Sequence, residues 1–178
     1  MDQSSEAARL AALMRLEVLD TEHEPLFDNL IELAARICDV PVALISLVDA
    51  NRQWFKGCIG LDVSETPRDV AFCDHAIRSD APLIVPDATQ DPRFQDNPLV
   101  TGEPGIRFYA GAPLITPDGR RLGTLCVIDF KPRAFDDARA AKLESLAALA
   151  SSNARGLKSI TQRVPSRCPS GVIRGAPA

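Results

Sequence analysis

The sequence places a cysteine and a histidine two positions apart, at Cys73 and His75, where they could act as nucleophile and base or as two metal ligands. Residues 69–79 have the pattern of a helix, on which side chains two positions apart point about 200° away from each other. Cys73 and His75 are therefore expected to face different directions. His23 is the only other histidine, so further imidazole ligands are scarce. The pattern favours a buried Cys73 and a hydrogen-bonded His75 over a catalytic pair or a metal site.

Three arginines, at positions 68, 93 and 107, flank apolar segments and could bind an anionic ligand through paired hydrogen bonds. The alternative for Arg68 and Arg93 is an ion pair that holds the surrounding loops together. The candidate partners for such pairs are Asp69, Asp87 and Asp91.

Two apolar segments with the pattern of a hairpin are expected to position these side chains. The first begins at Val42 and reads VALISLVDANRQWFKGCIG, and the second begins at Arg107 and reads RFYAGAPLITPDGRRLGTLCVIDF. In each, β-branched and aromatic residues flank a short polar turn, which predicts a strand, a turn and a second strand. Residues 42–48 are apolar at both alternations, so both faces of this strand should be covered. We expect helices on one face. The insert 60–107 is too long for an ordinary connection and should form a pocket or a lid over the other face.

Helical patterns frame the two hairpins. Residues 5–16 carry an apolar stripe. Thr21 and Glu24 match a capping box, in which each side chain hydrogen-bonds the other residue's backbone, and this predicts a helix from there to about Cys38. A last helix is expected to begin near Asp136, a suitable N-cap residue.

The last helix carries a repeating pattern with alternating spacings of three and four residues, which is typical of a coiled-coil seam. A polar side chain in such a core fixes the register and favours a dimer. The predicted seam of a parallel homodimer consists of Leu143, Leu146, Ala150, Asn153, Leu157 and Ile160. The alanines of the same helix allow the alternative that it packs on its own sheet.

Five segments give a family resemblance: RQWFKGCIGL, ETPRDVAFCDHAI, DPRFQDNPLV, IRFYAGAPL and LGTLCVIDFKPR. In order and spacing they resemble the GAF domains at the N-terminal end of many bacterial sensor histidine kinases and diguanylate cyclases. The resemblance covers roughly residues 10–157. It implies an α+β fold, with a five- or six-stranded antiparallel sheet, helices on one face and a loop- and helix-covered pocket on the other.

The pocket is expected to take its walls from the insert and from the strand face beneath it. The candidate pocket residues are Trp54, Phe72, Cys73, His75, Phe94, Arg107 and Tyr109. Aromatic side chains pack in cores more often than they contact ligands, so the alternative is a second hydrophobic core without a cavity.

The resemblance implies a non-catalytic sensory or regulatory role in signal transduction, without cofactor or metal. The sequence contains no kinase histidine box, nucleotide-binding glycine loop or GGDEF-like run, so the signal is expected to pass in trans. The expected partners are an unknown small molecule, a second copy of the chain, and a histidine kinase or a cyclic-dinucleotide enzyme.

Other functions within the family leave weaker traces. The cyclic-nucleotide pattern and the cysteine required by tetrapyrrole-binding members are both absent. Free methionine sulfoxide reductases use several cysteines in the insert, where this chain has only Cys73. A reductase-like enzyme using Cys73 and a structural dimerisation adaptor without ligand are the alternatives.

Composition sets the remaining bounds. The chain has 178 residues, of which 46% are hydrophobic and 25% charged, as in an ordinary globular domain. The sequence has neither a signal peptide nor an apolar run long enough to span a membrane, and its five cysteines are scattered. We expect a cytoplasmic protein with reduced thiols and without membrane attachment.

The helical pattern and the resemblance imply an N-terminal helix (residues 1–20) and a GAF domain with its signalling-type helix (21–160), and composition predicts a basic disordered tail (161–178). Residues 155–178 contain five basic residues and no acid, whereas the rest of the chain has a net charge of −9. Dispersed basic residues without aromatic neighbours do not indicate a specific nucleic-acid site. A solvated tail is expected, with a weak contact to nucleic acid, membrane or the acidic domain as the alternative.

Overall fold

Six antiparallel strands form one sheet in the computed structural model, which describes residues 3–161 and the side chains of residues 3–153. The strands are β1 (Val42–Val48), β2 (Arg52–Ile59), β3 (Glu65–Pro67), β4 (Leu83–Val85), β5 (Phe108–Ile115) and β6 (Arg121–Asp129). Their order across the sheet is β3-β2-β1-β6-β5-β4. The predicted α+β fold with an antiparallel sheet is confirmed, and both predicted hairpins are present as β1–β2 and β5–β6.

Helices cover the two faces of the sheet unequally. The helices are α1 (Gln3–Leu16), α2 (Pro25–Cys38), α3 (Phe72–Ala76), α4 (Pro98–Thr101) and α5 (Asp137–Thr161). The long helices α1, α2 and α5 pack on one face, and α3, within the insert between the two hairpins, lies on the other. Within residues 3–161, no helix has both the length and the apolar character that a membrane span needs.

The central strand β1 is buried on both faces, as its sequence predicted. Ala43, Ile45 and Leu47 belong to the hydrophobic cluster beneath the long helices. Val42, Leu44 and Val48 belong to a second cluster, which includes the side chains of the insert. Successive strand residues point to opposite faces, so one strand supplies both hydrophobic layers.

The start of α2 differs from the capping-box prediction. α2 begins at Pro25, and Glu24 is its N-cap residue without a side-chain cap. Proline fits the first position of a helix and holds the preceding residue in an extended conformation, so the helix starts there. Thr21 and Glu24 instead surround the buried ammonium of Lys56, with Nζ at 2.7 Å from Thr21 Oγ1 and 2.6 Å from Glu24 Oε1.

The predicted dimer seam on α5 is wrong in its placement. Asp136 caps the helix as predicted, since its Oδ1 accepts the backbone N–H of Arg139 at 2.7 Å. Leu143, Leu146 and Ala150 are buried against the chain's own sheet, so this stripe is not free to meet a second copy. Asn153 is half-buried, and its Nδ2 donates to the Leu149 carbonyl at 2.8 Å. The remaining seam residues, Leu157 and Ile160, and the basic tail lie outside the described side chains.

An ion-pair network attaches α1 to the insert. The guanidinium of Arg9 is buried and donates twice to the Glu6 carboxylate, at 2.8 and 2.7 Å, and once to the Val48 carbonyl at 2.6 Å. The same Glu6 carboxylate accepts Nη1 of Arg68 at 2.7 Å, and Nε of Arg68 donates to Asp74 at 2.7 Å. Asp74 belongs to α3, so Glu6 connects the N-terminal helix to α3 through a single arginine.

Candidate functional site

A cavity of about 330 Å³ lies between the sheet and the insert. Its floor consists of Leu44, Gln53, Phe55, Thr66, Tyr109, Cys126 and Ile128 from the strands. Its roof consists of Leu61, Phe72, Cys73, Leu99, Pro104 and Ile106 from the insert. Asp62, Val63 and Glu103 also line the cavity and are exposed, so they mark its mouth. The cavity is therefore a mostly apolar space with an acidic entrance.

Strand β2 contributes alternate side chains to the cavity. Gln53 and Phe55 face it, whereas Trp54, between them, is buried in the cluster beneath the long helices. The prediction of Trp54 as a pocket residue is therefore wrong. The reason is that successive side chains of a strand point to opposite faces of the sheet, so Trp54 points away from the face that Gln53 and Phe55 share.

Gln53 is the polar group of the cavity floor with unused hydrogen-bonding capacity. Its Nε2 donates to Thr66 Oγ1 at 2.8 Å. Its Oε1 is buried and has no hydrogen-bond partner among the described residues. A buried acceptor without a partner costs free energy, so an N–H or O–H donor from water or from a bound molecule would stabilise it.

The predicted helix over residues 69–79 is shorter in the structure. A 3₁₀ turn spans Arg68–Val70, Ala71 is extended, and α3 covers only Phe72–Ala76. The prediction that Cys73 and His75 diverge is confirmed, because Cys73 lies on the cavity and His75 lines an open surface cleft with Arg68 and Asp74. Within residues 3–161, no group of three potential metal-binding side chains converges.

The sulfur of Cys73 has several polar neighbours in the buried layer. Thr124 Oγ1 donates to it at 3.1 Å, and the Tyr109 hydroxyl donates to it at 3.4 Å. The sulfur of Cys126 lies 3.9 Å away. Ser46 Oγ is also close, but it makes no hydrogen bond of normal geometry within the described residues, so we count Thr124 and Tyr109 as the donors.

These neighbours favour the thiolate of Cys73. Burial raises the pKa of its thiol, but hydrogen bonds from Cys126 and from the nearby hydroxyls outweigh burial and lower the pKa to about 6. The pKa of Cys126 is raised well above its usual value by burial and by the adjacent Cys73. Burial likewise raises the pKa of Tyr109, which keeps its hydroxyl protonated as a donor. The two sulfur atoms therefore differ, and Cys73 is the one whose surroundings favour loss of the proton.

The aromatic residues of the insert pack behind the cavity. Phe72 reaches it and stacks on Phe94 with ring centroids 4.1 Å apart. Phe94 is fully buried in that second layer, and the His75 ring meets its edge at 4.9 Å. Burial, followed by the nearby Arg78, lowers the pKa of His75. Phe94 and His75 therefore support the roof and do not line the cavity.

The three suspected arginines are all engaged in holding loops, and none lines the cavity. Arg93 pairs with Asp91 at 2.6 Å, which is one of the predicted partners. Arg68 pairs with Glu6 and Asp74 and with none of the predicted partners. Arg107 was also predicted in the pocket, but its Nη1 donates to the Val100 and Ile106 carbonyls at 2.9 and 3.1 Å. The loops need these donors for their own carbonyls and carboxylates.

Phe72, Cys73 and Tyr109 are the predicted pocket residues that the structure brings together at the cavity. Sequence reasoning missed Gln53 and Cys126 on its floor and Thr124 in the layer behind it. Strand alternation could have found them, because Gln53 shares a face with Phe55, and Thr124 shares one with Cys126.

Replacement of Tyr109 by phenylalanine is expected to raise the pKa of Cys73, because it removes one hydroxyl donor and retains the ring. The pH dependence of iodoacetamide alkylation at Cys73, followed by peptide mass spectrometry, should shift to higher pH. Cys58 is the internal control, because burial raises its pKa and its sulfur donates to the backbone carbonyls of Ile59 and Leu61 instead of accepting from hydroxyls. An unchanged profile at Cys73 would contradict the assigned hydrogen bond.

The comparisons with known proteins agree with this architecture. The model of the GAF domain family matches residues 22–153. A cyclic di-GMP phosphodiesterase of Pseudomonas aeruginosa is 49% identical over 128 residues, which are 72% of this chain and 22% of the relative. The chain therefore spans about a fifth of that relative's length.

Solved structures show the same fold at low sequence identity. A GAF domain from an Acinetobacter phosphoenolpyruvate-protein phosphotransferase has a TM-score of 0.61 and 18% identity, over 91% of this chain and 99% of that one. A free methionine-R-sulfoxide reductase from Neisseria meningitidis, in complex with its substrate, has a TM-score of 0.63 and 19% identity, over 90% and 95%. At such identities the likeness concerns the fold alone.

Proposed function

The chain belongs to the GAF domain family, and from that premise we propose that it is a non-catalytic sensory module whose cavity binds a small uncharged molecule. The observation that carries the proposal is the apolar cavity of about 330 Å³ with the unpartnered Gln53 acceptor on its floor. A volume of this size is at the lower end for ligand sites, which span roughly 300–1,000 Å³.

The charges around the cavity favour an uncharged ligand. Its entrance carries Asp62 and Glu103, and the suspected arginines are bound to loop carbonyls or carboxylates. An anion would meet like charge at the entrance and would find no cation among the residues that line the cavity. A compact aromatic or aliphatic molecule with an N–H or O–H donor matches both the apolar walls and Gln53.

A ligand panel tests this chemistry with matched probes of one size. Benzamide offers an N–H donor, acetophenone is uncharged without a donor, and benzoate is anionic. Titrations followed through the methyl resonances of Leu44, Ile106 and Ile128 should show benzamide binding at least about tenfold more tightly than the other two. Trp54 fluorescence is a less direct reporter, because this side chain faces the long helices.

Two variants should separate the cavity from the rest of the surface. Gln53→Leu should remove the preference for benzamide over acetophenone, and Leu99→Trp should fill the roof and abolish binding of both. Leu33→Trp is the matched control, because Leu33 is exposed on α2, and it should bind as the wild type does. Lack of any methyl shift at millimolar probe, together with a ligand-free native mass of protein from its own host, would overturn the proposal.

Regulation of a separate enzyme is the second part of the proposal. The relative named as a cyclic di-GMP phosphodiesterase resembles this chain over only a fifth of its length, which supports a regulatory role beside such an enzyme. We propose that the domain acts in the cytoplasm and passes its signal in trans to a cyclic-dinucleotide enzyme or a histidine kinase. Addition of the domain should change the activity of such an enzyme, and the size of that change should depend on the cavity ligand. With the Leu99→Trp variant, the enzyme's activity should be the same in the presence and absence of ligand.

A reductase or an adaptor would behave differently. A methionine sulfoxide reductase would turn over free methionine sulfoxide and lose that activity in Cys73→Ser. An adaptor without ligand would sediment as a dimer and would bind none of the probes. Both outcomes are distinct from ligand binding without turnover.

A further inference from the structure

Two of the described cysteines, Cys73 and Cys126, stand apart from the others because their sulfur atoms face each other. The sulfur atoms lie 3.9 Å apart, one on α3 and the other on β6. Cys38 is buried beneath the long helices, and the sulfur of Cys58 contacts the carbonyls of Ile59 and Leu61. A disulfide requires about 2.05 Å between sulfur atoms, so a rotation of one side chain and a small displacement of α3 would bring the pair into bonding range.

The two cysteines of the pair have different surroundings, as a dithiol needs if one sulfur is to attack an oxidant and the other is to resolve the product. Cys73 accepts hydrogen bonds from Thr124 and Tyr109, which stabilise negative charge on its sulfur. Burial and the adjacent Cys73 raise the pKa of Cys126, so Cys73 is the member of the pair that loses its proton more readily. The thiolate is the nucleophile of sulfur chemistry, and the neighbouring thiol can resolve its oxidised form.

Access to the pair runs through the cavity. Both cysteines line it, although neither is exposed on the outer surface. The hydroxyl donors of Cys73 belong to strands beneath the cavity, and α3 belongs to its roof. The cavity thus gives a small hydroperoxide a route to the sulfur atoms that the outer surface does not.

We propose that Cys73 and Cys126 form a peroxide-sensitive dithiol at the base of the cavity, which a small hydroperoxide converts into an intramolecular disulfide. The Cys73 thiolate attacks the terminal oxygen of the hydroperoxide, so a sulfur–oxygen bond forms and the oxygen–oxygen bond breaks. The alkoxide or hydroxide leaves and takes a proton from water. Cys126 sulfur then attacks Cys73 sulfur, the sulfur–oxygen bond breaks, and the hydroxyl leaves as water with the Cys126 proton. The two sulfur atoms lose two electrons, which the peroxide gains.

The disulfide would fasten the roof of the cavity to its floor. α3 is held to the rest of the chain mainly by side-chain packing and by the ion pairs of Arg68 and Asp74. A covalent bond to the central part of the sheet would fix its position. This site does not depend on the proposed ligand, because the sulfur chemistry proceeds in an empty cavity.

Native full-length protein treated with a small excess of hydrogen peroxide tests the proposal. The protein is then unfolded, its remaining thiols are alkylated, and the tryptic peptides are analysed by mass spectrometry. We expect loss of two of the five thiols and a linked pair of peptides 69–78 and 122–133, lighter by two hydrogens than their sum. Reduction with dithiothreitol should restore both thiols.

Cysteine variants assign the two roles. Cys126→Ser should leave a sulfenic acid on Cys73 that dimedone traps, and Cys73→Ser should be unreactive. Cys58→Ser is the matched control and should form the linked peptides as the wild type does. Circular dichroism and the Cys126→Ala variant guard against misfolding as the cause of a lost reaction.

Three results would overturn the proposal. One is oxidation of the native protein without the 69–78 and 122–133 linkage. Another is formation of that linkage at the same rate in urea-unfolded protein, because the folded environment would then have no role. The third is dimedone labelling of Cys126 and not of Cys73 in the single variants. Retention of all five thiols in the peroxide-treated native protein would overturn the proposal for the same reason as the first result, because the linkage would not have formed.

Discussion

Replacement of Gly123 by alanine is expected to lower the free energy of unfolding by about 3 kcal/mol or more. A Cβ atom at this position would lie 1.9 Å from the backbone oxygen of Ser46, well inside van der Waals contact. Gly123 is on β6 and Ser46 on β1, the two central strands, so the clash cannot be relieved by turning a side chain. The strands would have to separate where both hydrophobic layers meet.

Urea unfolding followed by circular dichroism measures this change, and Gly119→Asn is a suitable control. Gly119 lies in the β5–β6 turn with a positive φ of 75°, and a Cβ atom added there would meet no other atom within 4 Å among the described residues. Asparagine tolerates this backbone conformation better than most residues, so the control should lose less than about 1 kcal/mol. Equal midpoints for the two variants would refute the packing argument at Gly123.

Replacement of Glu6 by glutamine should cost about 2 kcal/mol, because it leaves the buried guanidinium of Arg9 without its counter-charge. The figure is below that for a fully buried pair, since Glu6 is partly exposed and solvent screens its charge. Glu32→Gln removes an exposed ion pair with Arg36 on α2 and is the matched control. It should change stability by less than about 0.5 kcal/mol. A Glu6→Gln/Arg9→Met double variant should recover part of the loss.

The same residue gives a pH dependence with a defined sign. Hydrogen bonds from Arg9 and then Arg68 lower the pKa of Glu6 from 4.5 to about 2, against an opposing effect of burial. A lowered folded-state pKa means that the stabilisation is complete above about pH 4.5 and disappears as the pH falls towards 2. Between these values the wild type should lose stability more steeply than Glu6→Gln. Parallel curves would show that Glu6 titrates normally.

The architecture could be predicted from local patterns because those patterns have few physical solutions. Residues 42–48 are apolar at both alternations, which requires cover on both faces, and the structure provides it. The helix cap at Asp136 was also predictable, because an aspartate just before a helix commonly accepts a hydrogen bond from a backbone N–H of the first turn.

The errors arose where two patterns compete for the same residues. The apolar stripe of α5 has a spacing that suits a partner helix or the chain's own sheet, and only tertiary structure decides which is buried. Pro25 prevailed over the capping box because a ring-fixed φ favours one starting position, whereas a side-chain cap can be replaced by other contacts. Trp54 was assigned by residue type, although the alternation of its strand places it on the other face.

The cavity floor could not be assembled from the sequence, because its members come from strands far apart in the chain. Gln53 and Cys126 lie on either side of β1, and their relative position depends on the register of three strands. A shift of one residue would exchange every cavity-facing side chain for a helix-facing one.

Arg68 links the roof of the cavity to a helix that precedes the sheet in the chain. It joins Glu6 of α1 to Asp74 of α3, while its Nη1 also donates to the Asp49 carbonyl at 3.0 Å. Thermodynamic coupling between two sites is reciprocal. A cavity occupant that displaces α3 would weaken this bridge and so loosen the docking of α1. By reciprocity, undocking of α1 would weaken the binding of that occupant by the same free energy. For such an occupant, the amino-terminal helix would be both a readout of the cavity and a control over it.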